Sequence, residues 1–173
     1  MENVIRQGRM DDLEQIMALI AECVRVMREG GSDQWNESYP NREVIAEDIE
    51  QGTIYVLEDD GAPAGIIVLD ENEAEEYKSI DWVHKEGRYL VMHRLAVHPR
   101  IQGKGIARRL LAFAEDQAVR EGYSSIRMDT YAKNDRALGL YLRLGYETRG
   151  EVRFPGRVAN FPVMEKLLKP VED

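Results

Sequence analysis

The chain has 173 residues, 43% of them hydrophobic and 32% charged, which is typical of a globular domain with a sizeable core. Its 23 lysines and arginines against 32 aspartates and glutamates give a net charge of -9, which argues against general nucleic-acid binding and is compatible with a cationic substrate. The single cysteine, Cys23, rules out an intramolecular disulfide and a cysteine-built metal cage, so we expect a buried thiol and no metal site.

The sequence also bears on where the protein works. It contains no stretch of the ~18 apolar residues that a membrane-spanning helix needs. The opening residues, Met1 to Arg6, lack the apolar core of a signal peptide. We therefore expect one domain over residues 1–173, located in the cytoplasm, with no membrane as a partner.

The first half of the chain predicts a short strand, two helices and a hairpin. The strand falls on residues 4–6, and Asp11 follows as the start of a helix in the manner of a capping box. Apolar residues then recur at intervals of three and four until Gly30, as expected of a helix with one buried face. Asn41 can cap a second helix, and two apolar runs on either side of Asp59-Asp60-Gly61 predict a hairpin.

The second half predicts a strand, a glycine-rich turn and a helix, followed by further strands around one short helix. The strands are expected at 88–97, 125–130, 146–152 and 161–167, and the helices at 135–144 and from Gly105 onward. Pro162 suggests that the last strand is bulged or lies at an edge, where it can pair with a second copy in a homodimer. Most strands are joined as hairpins around one strand–helix–strand unit, so the fold class is α/β.

The glycine-rich turn follows the strand that ends at Val97. Gly103 and Gly105 allow the backbone to turn tightly before the helix starts, and the amides of such a turn have no partners of their own. Together with the positive end of the helix dipole they form a natural site for a diphosphate. Glycine content alone leaves a plain strand-to-helix turn equally open. The spacing fits neither a Walker loop nor the dinucleotide-binding fingerprint.

Two motifs resemble those of one enzyme family. The segment His93–Pro99, which reads HRLAVHP, followed by Gln102-x-x-Gly105-x-Ala107, resembles the acetyl-CoA signature of the GNAT superfamily of N-acetyltransferases. The segment Asn134-x-x-Ala137-x-x-x-Tyr141-x-x-x-Gly145-Tyr146 resembles the terminal motif of the same family. The resemblance implies a single GNAT-like α/β domain with a mixed, mostly antiparallel central sheet and helices on both faces.

The resemblance implies acetyl-CoA as the acyl donor. Backbone amides would bind its pyrophosphate, from Gln102, Gly103, Lys104, Gly105, Ile106, Ala107 and Arg108. The main chain of the preceding strand would bind its pantetheine arm, from Leu95, Ala96 and Val97. Asn134 would contact the cofactor or cap the helix that starts at Asp135, and the two roles can coexist.

The resemblance also bears on acid–base catalysis. Tyr141 corresponds to the general acid of the family, which protonates or stabilises the leaving thiolate, and a core aromatic is the alternative. An ammonium acceptor must lose a proton before it attacks, and an imidazole titrates near neutral pH, which makes His93 a candidate base. Many family members use a glutamate or a water chain instead, and a structurally satisfied histidine is the alternative for His93.

In the family, the segment between the first two helices shapes the acceptor site. Trp35 and Tyr39 lie there, and they can either cage an amine by cation–π contact or anchor the loop by packing. We expect a primary amine of a small molecule to attack the acetyl group directly within a ternary complex. A protein acceptor (an N-terminal amine or a lysine) and a non-catalytic acyl-CoA-binding module are the alternatives.

Overall fold

The computed structural model describes residues 4–169 and contains seven strands and four α-helices over that range. The strands are β1 Ile5–Gln7, β2 Ile54–Asp59, β3 Ala62–Asp70, β4 Tyr89–Val97, β5 Ser125–Asp129, β6 Glu147–Val152 and β7 Phe161–Leu167. The helices are α1 Leu13–Glu29, α2 Arg42–Glu50, α3 Ile106–Arg120 and α4 Asp135–Arg143. The predicted elements are therefore present, with small differences at their ends.

The strands form one mixed sheet with the hydrogen-bonded order β1-β2-β3-β4-β5-β7-β6. The pairs β1–β2, β2–β3, β5–β7 and β6–β7 are antiparallel. β4 and β5 are parallel, and their pairing ends at Val91 and Arg127. These observations confirm the expected α/β fold with a mostly antiparallel sheet.

One topological prediction is wrong, because β7 lies between β5 and β6 and is not an edge strand. Pro162 is tolerated there because it stands at the start of β7, where a missing donor disturbs the ladder least. It lies opposite Glu151, and its carbonyl accepts from the amide of Thr130 at 3.1 Å. A register shift does occur in this hairpin, but it falls in β6, between Thr148 and Gly150. The homodimer expected through an exposed β7 edge loses its structural basis.

The chain forms two compact units, whose boundaries fall within β4 and within α3. The first unit comprises residues 4–69 and His93–Ala114. Its hydrophobic core takes side chains from α1, α2, β2, β3 and β4 and from the segment between the first two helices. These are Leu13, Ile16, Leu19, Ile20, Cys23, Val24, Trp35, Ile45, Ile49, Ile54, Val56, Ile66, Val68 and Ala96. The predicted buried face of the first helix is thus confirmed.

Side-chain hydrogen bonds mark where α1 and α2 begin. Asp12, not the predicted Asp11, makes the capping contact, at the 3₁₀ turn Met10–Asp12 that leads into α1: its carboxylate accepts from the amide of Arg9 at 2.7 Å. The same carboxylate forms a bidentate ion pair with Arg6 of β1, with both nitrogen–oxygen distances at 2.8 Å. Asn41 caps α2 as predicted, and its side chain accepts from the amide of Val44 at 3.0 Å.

The second unit comprises Asp70–Met92 and residues 115–169, and its core is rich in aromatic rings. The core residues are Tyr77, Trp82, Val91, Tyr131, Val152, Phe161 and Val163. A charged side chain, Glu165, is also fully buried. Its carboxylate accepts from the amides of Val83 at 3.0 Å and His84 at 3.2 Å, and from Arg149 Nε at 2.9 Å. These partners replace the water that the carboxylate loses on burial.

Arg127 is a second buried charge in this unit. Its guanidinium lies 4.2 Å from the ring centre of Trp82 and 3.7 Å from that of Tyr89. Both distances are within the range of a cation–π interaction. It also forms an ion pair with Glu73 at 2.9 Å. The charge of Arg127 is therefore compensated inside the unit.

No helix within residues 4–169 is long and apolar enough to cross a membrane. The expectation about a signal peptide rests partly on Met1–Asn3, which lie outside the described residues.

Candidate active site

The glycine-rich turn begins directly after β4 and ends where α3 starts. The imidazole Nδ1 of His98 accepts from the amide of Arg100 at 3.1 Å and starts one short 3₁₀ turn. Gly103 (φ 85°) and Gly105 (φ 78°) then adopt left-handed backbone conformations, as expected from their freedom at positive φ. The chain reverses here within a few residues, and the predicted tight turn is confirmed.

The amides of this turn are available to a ligand. The first backbone bond at the start of α3 runs from the amide of Arg109 to the carbonyl of Gly105, at 3.1 Å. The amide of Gln102, which was also expected to bind the pyrophosphate, donates to the carbonyl of Pro99 at 3.4 Å instead. Within residues 4–169, the amides of residues 103–108 donate to no backbone carbonyl. A Cβ placed on Gly105 would meet no atom within 4 Å, so the space beside it is open. An open row of donors at the positive end of a helix fits the diphosphate of acetyl-CoA.

Side chains from two elements hold the turn to the end of β4. The carbonyl of Val97 accepts from Gln102 Nε2 at 3.1 Å and from the thiol of Cys23 at 3.4 Å. Because both lone pairs of this carbonyl are used, a pantetheine contact through Val97 would have to involve its amide. The side chains of Ala96 and Val97 are buried, as expected if only their main chain serves the ligand.

Cys23 is a core thiol, as predicted. Burial, with a smaller contribution from Glu22, raises the pKa of Cys23 to about 12. The reactive thiolate is therefore almost absent at neutral pH, and Cys23 does not serve as a nucleophile.

Arg94 interrupts β4 just before residues 95–97. Its φ of 50° lies in the left-handed region, so the regular alternation of side chains stops here. A regular strand would place His93 and Leu95 on one face, but the kink at Arg94 interrupts that alternation. His93 is half-buried and lies immediately before this kink. Its role as a base stays a prediction.

The guanidinium of Arg94 joins three elements of the first unit. It forms a bidentate pair with Asp48 of α2, with Nε–Oδ2 and Nη2–Oδ1 distances of 2.8 Å. Its Nη1 donates to the hydroxyl of Tyr39 at 2.9 Å. Desolvation lowers the pKa of Arg94, but Tyr39 and Asp48 raise it by more, so the net shift is upward. Sequence reasoning missed the role of Asp48, since it stands in a helix with several other acidic residues and no recognisable motif.

The two aromatic residues assigned to the acceptor side have different environments. Trp35 is 7% exposed and packs in the core against α1, which favours its reading as a packing anchor. Tyr39 is 39% exposed and holds Arg94. A cleft of ≈ 450 Å³ lies between α1 and residues 36–40. Its lining includes the apolar side chains Met17, Ile20, Ala21, Val24 and Pro40, with Arg25, Arg28, Glu29, Asn36 and Glu37 as the polar members.

The second unit holds the predicted terminal motif on α4. The side chain of Asn134 accepts from the amide of Ala137 at 3.1 Å, which confirms its capping role. Tyr141 is 5% exposed, and its ring packs edge-on against Tyr146, with the centroids 6.0 Å apart. Burial, and then the nearby charge of Asp129, raise the pKa of Tyr141 above its ordinary value. The phenol is therefore protonated at neutral pH and can donate a hydrogen bond.

Sequence reasoning also missed a contact at the end of β5. The hydroxyl of Tyr77 donates to Asp129 Oδ2 at 2.5 Å. Tyr77 comes from the acidic segment between β3 and β4, where the sequence shows no motif that would pair it with a residue so far along the chain.

Known proteins share both the sequence motifs and this fold. The model of the acetyltransferase (GNAT) family matches residues 14–146. The N-acetyltransferase YesJ of Bacillus subtilis, itself called uncharacterized, is 32% identical over 144 residues, which cover 81% of this chain and 79% of YesJ. A GNAT-family acetyltransferase of Streptococcus agalactiae is 32% identical, with a TM-score of 0.79 over 96% of each chain.

A more distant structure, yncA of Salmonella typhimurium, was solved with its cofactor acetyl-CoA. It has a TM-score of 0.73 at 18% identity and covers 100% of this chain and 98% of its own, a likeness that shows the fold alone. The family match and the two relatives at 32% identity show the family as well as the fold, and they agree with the open, amide-lined turn after β4. This chain therefore belongs to the GNAT family of acetyltransferases and uses acetyl-CoA as its acyl donor.

Proposed function

We propose that this N-acetyltransferase transfers the acetyl group to a primary amine of a small molecule, by direct attack within a ternary complex. The cleft beside α1 supports a small acceptor, because its ≈ 450 Å³ lies within the size range of small-ligand sites. Glu29 and Glu37 on its rim offer carboxylates to a cationic amine, although each of them already pairs with an arginine. The acidic net charge adds long-range attraction for such a ligand.

The cofactor is assigned mainly to backbone groups. The amides from Gly103 to Arg108 would hold the pyrophosphate, and the Gln102 side chain would keep the turn attached to β4. The main chain of residues 95–97 would hold the pantetheine arm, and Asn134 would contribute beside its capping role. When bound, acetyl-CoA supplies an activated thioester, so the chain itself needs no covalent nucleophile.

We assign Tyr141 to the leaving sulfur. Because the pKa of Tyr141 is raised above its ordinary value, complete proton transfer to a thiolate (ordinary pKa ~8.5) is unfavourable. Donation of a hydrogen bond stabilises the developing thiolate without that transfer, and this is the role that we propose. His93 is the candidate that removes the proton of the amine, either directly or through water.

The first experiment is a thermal-shift titration with acetyl-CoA and with CoA. The observation that carries the proposal is the row of open amides, so a Gly105→Glu variant, which places a carboxylate in the turn, is expected to lose the shift. Gly61→Glu is the matched control, since Gly61 in the β2–β3 turn has the same φ of 78° and the same open space. Loss of the shift in both variants would contradict the assigned site.

The acceptor is then tested by mixing the protein with acetyl-CoA and a panel of amines and measuring the release of free thiol. We expect turnover with a small primary amine. Turnover with peptide N-termini or peptide lysines alone would mean that the acceptor is a protein and not a small molecule. Binding of CoA without any turnover would favour a non-catalytic module.

A further inference from the structure

The conformation of Arg94 is unusual for its place in the fold. Among residues 4–169, the non-glycine residues with positive φ are Asp60, at 52°, and Arg94, at 50°. Asp60 lies in a hairpin turn, where such a conformation is required. Arg94 lies inside β4, where neighbouring residues are extended, and the left-handed region is unfavourable for a residue with a Cβ. Something outside the strand must hold this backbone in place.

The side chain of Arg94 provides that hold. The carboxylate of Asp48 accepts two hydrogen bonds from its guanidinium in a bidentate arrangement at 2.8 Å, and the hydroxyl of Tyr39 accepts a third at 2.9 Å. The Arg94 and Asp48 side chains are only 12% and 10% exposed, so solvent screens the pair little. A lysine could not reproduce this geometry, because its ammonium is a single point of charge.

The elements that Arg94 connects all bear on the proposed site. Asp48 belongs to α2, and Tyr39 lies two residues before the cap of that helix in the segment assigned to the acceptor. Arg94 itself precedes residues 95–97, whose main chain we assign to the pantetheine arm. A change in its backbone would therefore rotate the peptide groups that follow it.

We propose that Arg94 is a positioning residue, whose ion pair with Asp48 holds the left-handed kink that orients the main chain of residues 95–97 for acetyl-CoA. This inference rests on the proposed assignment of those residues to the pantetheine arm. It predicts that the kink, and not the positive charge, is what cofactor affinity needs.

Two substitutions at the same position separate the kink from the charge. Arg94→Gln removes the ion pair and keeps the backbone penalty, so we expect CoA affinity to fall about tenfold or more as the kink relaxes. Arg94→Gly also removes the ion pair, but glycine adopts a φ near 50° freely, so its affinity should stay within about threefold of wild type. Asp48→Asn breaks the pair from the other side and is expected to behave as Arg94→Gln does.

A matched control exists in the same unit. Arg6 forms an equally short bidentate pair with Asp12, whose side chain is 6% exposed, but Arg6 lies in β1 and has an ordinary φ. Arg6→Gln should lower the melting temperature and leave the CoA dissociation constant within about twofold, because distant sites act independently. All variants are compared as full chains by calorimetric titration with CoA.

Three results would overturn the proposal. The first is that Arg94→Gln and Asp48→Asn bind CoA as tightly as wild type does. The second is that Arg94→Gly loses as much CoA affinity as Arg94→Gln. The third is that Arg6→Gln loses as much CoA affinity as Arg94→Gln and Asp48→Asn. If Arg94→Gln does not fold, the comparison of Asp48→Asn with Arg94→Gly decides. A wild-type chain that binds no CoA would overturn the assignment of residues 95–97, and with it this inference.

Discussion

The two compact units differ in how they compensate their buried charges. In the first unit the buried carboxylates, Asp12 and Asp48, each form a bidentate pair with one arginine of a strand, Arg6 or Arg94. In the second unit a carboxylate, Glu165, and a guanidinium, that of Arg127, lie among the core side chains. A buried charge is tolerated only while its partners remain, and Glu165 is the most deeply buried of these groups, so removing its charge should be more damaging than the loss of an ion pair in the first unit.

The largest effect is expected at Glu165. Glu165→Gln removes a fully buried negative charge and leaves the half-buried Arg149 with the exposed Glu147 as its charged partner, so we expect a loss of about 3 kcal/mol in the free energy of unfolding. The measurement is urea denaturation followed by circular dichroism. Glu147→Gln is the control, because Glu147 binds the same arginine at 2.9 Å but is 71% exposed, and its loss should cost less than about 1 kcal/mol. Equal costs would mean that burial of the carboxylate does not determine its contribution to stability.

The next prediction concerns a buried hydroxyl that we assign to chemistry. Tyr141→Phe is expected to lower kcat by about 100-fold, the usual scale for losing a positioned proton donor, while CoA affinity stays unchanged. Thiol release measured with an amine found in the screen is the readout. Tyr146→Phe, which alters the ring packed against Tyr141, should retain turnover. Full activity of Tyr141→Phe would assign this tyrosine to the core alone.

A smaller effect is expected at the edge of the first core, and it depends on pH. The hydrogen bond from Arg6 is the main reason that the pKa of Asp12 lies below its ordinary value of 3.8, in spite of desolvation. The folded state therefore favours the charged carboxylate, so this contribution is fully present above pH 3.8 and is lost as the pH falls through the lower folded pKa. We expect Asp12→Asn to cost about 2 kcal/mol at neutral pH.

The test is to measure the unfolding free energy of wild type and Asp12→Asn over a range of pH. The difference should be constant near neutrality and should shrink only in acid, below the ordinary pKa of an aspartate. A difference that does not change in acid would mean that Asp12 stabilises the fold by packing and not by its charge.

The smallest effect is expected at Cys23. With its pKa raised to about 12, this buried thiol should not react with iodoacetamide at about pH 8 in the native protein. The same chain unfolded in urea serves as the positive control, and mass spectrometry counts the added groups. Native labelling at the unfolded rate would show that the first core opens readily.

The parts of the site that could be predicted are those built from neighbouring residues. Gly103 and Gly105 specify the phosphate turn locally, and Asn134 caps the helix that it precedes. The ion pair of Arg94 with Asp48 joins positions 46 residues apart, and no local sequence pattern predicts it. For the same reason Pro162 was misjudged: whether its strand is central depends on where a distant part of the chain pairs.

The fold shows the same contrast between features that local sequence predicts and features that depend on distant residues. Apolar periodicity located α1 and the hairpin of the first unit because the buried positions of these elements are apolar. In the second unit, Arg127 and Glu165 face each other across β5 and β7, so the inward positions of those strands do not stand out as apolar. The strands themselves were found, but the ionic part of that core was not.

The last strand of the sheet order has a consequence for behaviour at high concentration. β6 carries Glu147, Arg149 and Glu151 along its length, and its register shifts between Thr148 and Gly150. A strand arriving from another molecule would meet alternating charge and an irregular row of donors and acceptors. Growth of aggregates by strand addition should therefore be slow at this end of the sheet, and crowded chains would stay separate there while they fold.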